Sequence, residues 1–170
     1  GNLLNTDLAV NTTLGNATVK GSFHDIADPV RAGYNATINA NSLDLGTIIQ
    51  NKEIKGPISA TVVANGTGYD PKTANAKLKG TIHSAIIKGY TYRGLLFDGT
   101  IAAQQANFNT SMTDPNIDFD LVATADFSST YPAIKISGMI DSIKLQPLHL
   151  ASERMIYRGK IDADFPVTNP

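Results

Sequence analysis

The sequence predicts an all-β domain: an antiparallel meander with bulges, arranged as a curved open sheet with a U-shaped groove or as a two-layer β-sandwich. Three observations predict it. Apolar and polar residues alternate along most of the chain, which is the signature of half-buried strands. The polar fraction consists of strand-forming Thr (17) and turn-forming Asn (14) and Gly (14), with no Trp and only two Glu. Turn signals recur between the alternating runs.

In chain order, Leu8–Leu14 and Ala17–Phe23 flank Gly15-Asn16, which reads as a two-residue hairpin turn. Ile58, Ala60, Val62 and Ala64 mark one strand, and Leu78, Gly80, Ile82, Ser84 and Ile86 another. Asn65-Gly66, Asp70-Pro71, Asp114-Pro115-Asn116 and Tyr131-Pro132 mark turns. Ile117, Phe119, Leu121, Ala123, Ala125 and Phe127 share one face of a strand whose other face carries Asp118, Asp120, Val122, Thr124 and Asp126. Met155, Tyr157, Gly159, Ile161, Ala163 and Phe165 repeat that pattern. Only Leu43–Gln50 and Pro147–Arg154 have room for a helical turn. About eight to twelve consecutive strands are expected, with under about a tenth of the residues helical.

Two strands change phase. Ile134, Ile136 and Ile140 occupy even positions, whereas Ile143 and Leu145 are odd; Ile38 and Ala40 give way likewise to Leu43 and Leu45. A one-residue phase change needs a β-bulge, here placed at Asp141-Ser142 and Asn41-Ser42. The breaks expose a weak repeat. Ala36–Leu45, Ile134–Leu145 and Leu78–Ala85 are similar, and each leads to a basic residue before glycine (Lys55-Gly56, Arg158-Gly159, Arg93-Gly94). The first two are also followed by an apolar pair, Ile48-Ile49 and Leu148 with Leu150. Such a unit describes a chain extended by addition of neighbouring repeats, although any bulged meander resembles itself to some degree.

The 170 residues suit a single β domain spanning 1–170. A net charge of −1 supplies no basic field, which argues against nucleic acid as a partner. No run of 18 apolar residues and no signal peptide is present. The chain opens Gly1-Asn2-Leu3 and stops at Thr168-Asn169-Pro170, and a slice of a longer protein is expected. Absence of Cys fits a bacterial extracytoplasmic compartment, and a small cytosolic domain nearly as well.

Reactive constellations are scarce. Asp114, Asn116 and Asp118 imitate the start of a calcium loop, but the glycine and glutamate positions hold Phe119 and Ala125. Alternation places Asp114, Asn116, Asp118 and Asp120 on a wet face. His24, His83 and His149 lie far apart and read as exposed strand residues, so neither a metal nor a cofactor is expected. No nucleophile elbow, phosphate loop or dinucleotide fingerprint occurs, and an enzyme is not expected. The Asn-x-Ser/Thr sequons at Asn11, Asn16, Asn35, Asn65 and Asn109 follow from composition.

A resemblance is carried by Phe97-Asp98-Gly99-Thr100-Ile101, Phe108 to Met112, and Asp114-Pro115-Asn116-Ile117-Asp118-Phe119-Asp120-Leu121. It continues through Ala125-Asp126-Phe127-Ser128, Tyr131-Pro132, Ile136-Ser137-Gly138 and Asp141-Ser142-Ile143-Lys144-Leu145-Gln146-Pro147-Leu148. Lys88-Gly89-Tyr90-Thr91-Tyr92-Arg93-Gly94-Leu95 belongs to the same set. These phrases resemble the AsmA-like superfamily, most closely its TamB-type branch as found in Bacteroidetes-like bacteria, over residues 76–150. The resemblance implies a long periplasmic protein, anchored to the inner membrane through a segment outside this chain. It further implies an open U-shaped sheet with an apolar inner surface, serving phospholipid movement between inner and outer membranes or outer-membrane protein assembly. Phospholipid or acyl chains, outer-membrane assembly proteins and neighbouring repeats are the partners it suggests.

The residues themselves pose the same physical problem: strands with one apolar face and no helices to cover it. The candidate groove face is Ile117, Phe119, Leu121, Phe127, Ile134, Ile136 and Ile140. The leading expectation is a non-enzymatic envelope-biogenesis segment with an apolar β-groove; the alternative is a structural or adhesive β-sandwich module of a surface protein.

Overall fold

The computed structural model describes residues 3–48 and 56–166. The expectations placed on Gly1-Asn2, Ile49-Gln50, Lys55 and Thr168-Asn169-Pro170 lie outside the described residues. Ten strands follow one another: β1 (Leu3–Thr12), β2 (Gly15–His24), β3 (Gly33–Leu43), β4 (Ile58–Thr67), β5 (Asn75–Ile87), β6 (Tyr90–Ala102), β7 (Gln105–Asp114), β8 (Ile117–Asp126), β9 (Ala133–Lys144) and β10 (Ile156–Phe165). A single helical turn, α1 (Leu45–Ile48), follows β3 within the segment that had room for one. Asp44 caps it, accepting from the Thr47 N–H at 3.0 Å. The Pro147–Arg154 segment instead forms turns.

Every strand pairs antiparallel with its sequence neighbours in one sheet ordered β1 to β10. The sheet is open: β1 and β10 are its edges, and the described residues form no second sheet. The two-layer sandwich is therefore not the arrangement adopted.

Two turns fall elsewhere than the sequence suggests. The β1–β2 turn is Thr13-Leu14, because Thr12 pairs with Gly15. The Thr12 hydroxyl closes it, accepting from the Leu14 N–H at 3.1 Å and donating to the Gly15 carbonyl at 3.0 Å. Sliding the turn by two residues preserves the alternation, so only this local bonding distinguishes the two positions. Asn65-Gly66 is not a turn but lies inside β4, opposite Lys77 and Ala76.

Bulges occur where the phase changes are. Phe119 faces Ile140 while Asp118 faces Ser142, leaving Asp141 as the extra residue. Between β3 and β4 the register slips between Ala40 and Leu43, with Ser42 at φ 50° and its N–H bonded to Ser59 Oγ at 2.9 Å. A third bulge, at His83, corrects the single-phase reading of Leu78 to Ile86: Ser59 pairs with Ser84 but Ala60 with Ile82. Past it, Ala85 rather than Ser84 shares the face of Ile82. The three similar segments thus each carry a bulge, and the glycines that follow them have φ values of 107° (Gly56), 72° (Gly94) and 136° (Gly159).

The fold has little interior. Its accessible surface is 10731 Å², about a third more than the roughly 8,100 Å² expected of a compact chain of this mass. Among the described apolar residues under a tenth exposed, only Met112, Ile140 and Leu148 are larger than Ala. Connections shore up the two ends. At one end Tyr34 stacks on Tyr69 with ring centroids 5.9 Å apart, and the Gly68 N–H donates to Ala32 O at 2.7 Å. At the other, the connection from β9 to β10 buries Leu148 completely and reaches the β5–β6 hairpin.

Candidate functional site

Register and alternation together decide what each face of the sheet carries. From β8, Phe119 lies between Met112 of β7 and Ile140 of β9, and Leu121 between Thr110 and Gly138. Outward from there the same face receives Phe108, Gly99 and Leu78, then Ala64 and Ala36. A second row runs Phe97, Gly80, Val62, Ile38, Val19 and Leu8. The last strand adds Ile161, Ala163 and Phe165. One apolar face therefore crosses all ten strands.

Ile117, Phe119 and Leu121 of β8 lie on this face with Ile134, Ile136 and Ile140 of β9. Phe127 is just past the end of β8, where its N–H donates to Gln104 O at 2.7 Å. The sequence reading missed the extension over β1 to β7. Its signal was available in the alternation of each strand, but joining the strands required the hairpin registers. Bulk on this face is staggered: the ring of Phe97 lies over Gly80 and that of Phe108 over Gly99, where any side chain would collide.

The opposite face is mostly polar, although Val63, Leu96, Val122 and Met139 are exposed on it. Directly opposed residues form ion pairs: Lys20 with Asp7 at 3.0 Å, Lys79 with Asp98 at 3.3 Å, and Lys135 with Asp164 at 2.9 Å. All are well exposed, so each adds little stability but keeps this face wet. Thr61 Oγ1 links the ladder further, donating to Asn39 Oδ1 and standing 3.0 Å from His83 Nε2. A hollow of about 570 Å³ opens in the middle of this polar side, across β4 to β8. Thr61, Val63, Lys79, Leu96, Asp120 and Val122 border it. Leu121 also borders it; the other six residues of the candidate apolar set do not.

Asp114 is not on the wet face but is 5% exposed on the apolar side, opposite Ile117. Tyr90 donates its hydroxyl to Asp114 Oδ1, which also accepts the Asn116 N–H at 3.0 Å. The Asn116 amide donates to Tyr90 Oη at 3.2 Å, and Tyr92 meets the Tyr90 ring edge-on at 4.9 Å. Asp114 Oδ2 has no hydrogen-bond partner among the described residues. Burial, and then the bond to Asp114, push the Tyr90 hydroxyl above the ordinary tyrosine value; burial and the Asp114 charge do so for Tyr92.

Among the described residues no group of three metal-ligating side chains converges. Asp118 and Asp120 remain on the polar face, so the calcium-like phrase is split between the two sides of the sheet. The histidines are separate. His24 pairs weakly with Asp25 at 3.4 Å. His149 is in a connection rather than a strand, with φ 59°, and its Nδ1 donates to the Lys88 carbonyl at 2.7 Å. It is a tether between the β9–β10 connection and the β5–β6 hairpin.

Comparison of the chain with protein-family models, with curated proteins and with solved structures finds no match.

Proposed function

We propose that this chain is a non-enzymatic segment of a periplasmic envelope-biogenesis protein. Its open apolar β-face accompanies the acyl chains of phospholipids between inner and outer membranes, or supports outer-membrane protein assembly. The observation that carries the reading is one apolar face running over all ten strands of a single open sheet, on which Leu4, Leu8, Val10, Ile38 and Phe165 are exposed while Met112 and Ile140 are buried. Apolar side chains left exposed along one continuous face mark a place for an apolar partner. The resemblance to AsmA-like, TamB-type sequences over residues 76–150 supports the same reading, with the inner-membrane anchor outside the chain. The adhesive-sandwich alternative needs two sheets closed over a core, and the single sheet does not favour it.

The expected affinity follows from area. An acyl chain lying on a flat face buries about half of each CH₂, which is worth roughly 0.4 kcal/mol per group. A sixteen-carbon chain then gains about 6 kcal/mol, a dissociation constant in the tens of micromolar. The test is titration of a fluorescent palmitate analogue against the wild type and two matched variants. Ile38 on the apolar face is 38% exposed and Val63 on the polar face is 44% exposed, so either accepts Asp without entering a dry core. Ile38→Asp should weaken binding about tenfold and Val63→Asp leave it unchanged. A wild type that binds nothing at ~1 mM, or variants that behave alike, would refute the reading.

A further inference from the structure

We propose that the apolar face continues beneath the β9–β10 connection as a second seat for an acyl chain, kept shut by the chain's own Leu148. The inference rests on the acyl-chain reading above and adds a covered seat to the open one around Ile38. The connection leaves β9 at Leu145 and reaches the β5–β6 turn through His149. There His149 Nδ1 donates to the Lys88 carbonyl at 2.7 Å, and its ring stands 3.5 Å from where a Gly89 side chain would begin. β7 and β8 lie between β9 and β6 in the sheet, so the segment crosses the ends of those two strands. Burial at that end is one-sided. Ile140 is 5% exposed on the apolar face, whereas its neighbour Met139 is 40% exposed on the other. Met112 and Asp114 of β7 are as deeply buried as Ile140, and Leu148 is completely so. Ile38, on the same face of the interior strand β3, stays 38% exposed. The difference between the two stretches of one face is the cover.

Three features make this cover removable. Among the described residues, the His149–Lys88 bond is the one hydrogen bond that ties the connection to the rest of the fold; its others are internal, such as Leu150 N–H to Leu145 O at 2.9 Å. His149 holds its bond at φ 59°, a left-handed conformation that disfavours a residue with a side chain. Asp114 Oδ2 has no hydrogen-bond partner among the described residues, and lifting the connection lets water reach it. What opens is an aliphatic and aromatic row, Met112, Phe119 and Ile140, directly paired on adjacent strands. An acyl chain on that row replaces the contacts Leu148 gives up, whereas a polar ligand leaves them bare. Few attachments and an exposed backbone are the marks of a segment that opens without unfolding the sheet.

Leu148 and an acyl chain exclude each other, so binding and opening are linked. Trypsin reads the opening at Arg154, inside the connection, against Lys72 in the β4–β5 connection as the internal standard. Saturating fluorescent palmitate analogue should speed cleavage after Arg154 severalfold relative to Lys72. An Ile38→Asp background weakens the open seat and isolates the covered one. There Leu148→Ser should bind the analogue about fivefold tighter, because removing a cover raises apparent affinity by the inverse of the open fraction. Leu150→Ser, two residues on and 50% exposed, should change neither readout. His149→Ala cuts the tether and keeps Leu148; it should shift both readouts the same way by less, and it replaces Leu148→Ser if that variant loses its strand circular dichroism. Two results would overturn the proposal while leaving the open seat standing: an analogue that binds without speeding cleavage after Arg154, or Leu148→Ser and His149→Ala that bind no tighter than Leu150→Ser. A wild type that binds nothing would overturn the acyl-chain reading and this proposal together.

Discussion

Removing the Tyr90 hydroxyl isolates the one buried acid that the described residues hold. In Tyr90→Phe, Asp114 Oδ1 keeps only the Asn116 N–H at 3.0 Å, and the Asn116 amide loses its acceptor at 3.2 Å. A carboxyl 5% exposed cannot recover the bond from water, and a buried group left short of a partner costs about 1–3 kcal/mol. With the lost amide contact, the expected destabilisation is about 2–3 kcal/mol. For a chain of this size the urea slope is about 2–3 kcal/mol/M, so the midpoint should fall by about 1 M. The same change in an Asp114→Leu background, where no acid needs the hydroxyl, should cost under ~1 kcal/mol, giving a coupling of about 2 kcal/mol. Urea unfolding followed by far-UV circular dichroism measures all four corners of the cycle. Additive effects, or a Tyr90→Phe cost under ~0.5 kcal/mol, would show that the buried carboxyl does not depend on this bond.

Two further outcomes are expected. The β6–β7 turn places Ala103 and Gln104 at φ 50° and 67°, a left-handed pair that costs about 1–2 kcal/mol per ordinary residue. Replacing them with Asn and Gly should raise the melting temperature by about 2–6 °C, and an unchanged or lower melting temperature would argue against turn strain. Asp28, Asp44 and Asp126 are each held below the ordinary 3.8, by N–H groups of Val30 and Arg31, by the N–H and hydroxyl of Thr47, and by the hydroxyl and N–H of Ser128 respectively. A depressed folded pKa contributes stability that is present above 3.8 and lost as pH falls through the lower folded value. Tyr34, Tyr90 and Tyr92 are raised above 10.0, chiefly by burial, so their contribution is complete below pH 10 and lost as pH rises through the folded values. Melting temperature plotted against pH should therefore be flat through neutrality and fall at both extremes; a single maximum at the isoelectric point would contradict this.

Particular residues show how far local reasoning reached. The bulge at Asp141 was legible because Ile140 and Ile143 cannot share a face without it. The bulge at His83 was hidden, because Ser84 and Ile86 continue the earlier phase by composition while Ala85 takes the buried side. Asp114 was assigned to the wrong face because alternation was carried through a turn. In a two-residue turn Asp114 pairs with Ile117, so its parity follows Ile117 and not Asp118. His149 held no signal at all, since its partner Lys88 is 61 positions away.

Strand content, the separation of an apolar from a polar face, and the order of a meander with short connections follow from the sequence alone. Each depends on a period of two residues or on a neighbouring turn, and those interactions are local. Openness is a different kind of property. Whether ten strands close over one another depends on accumulated twist, on bulges at Asn41-Ser42, His83 and Asp141, and on which connections fold back at the ends. No single strand encodes that sum. The tertiary structure alone left the sheet open, with Leu8, Ile38 and Phe165 of its apolar face exposed and Ile140 buried, because openness belongs to the sheet as a whole.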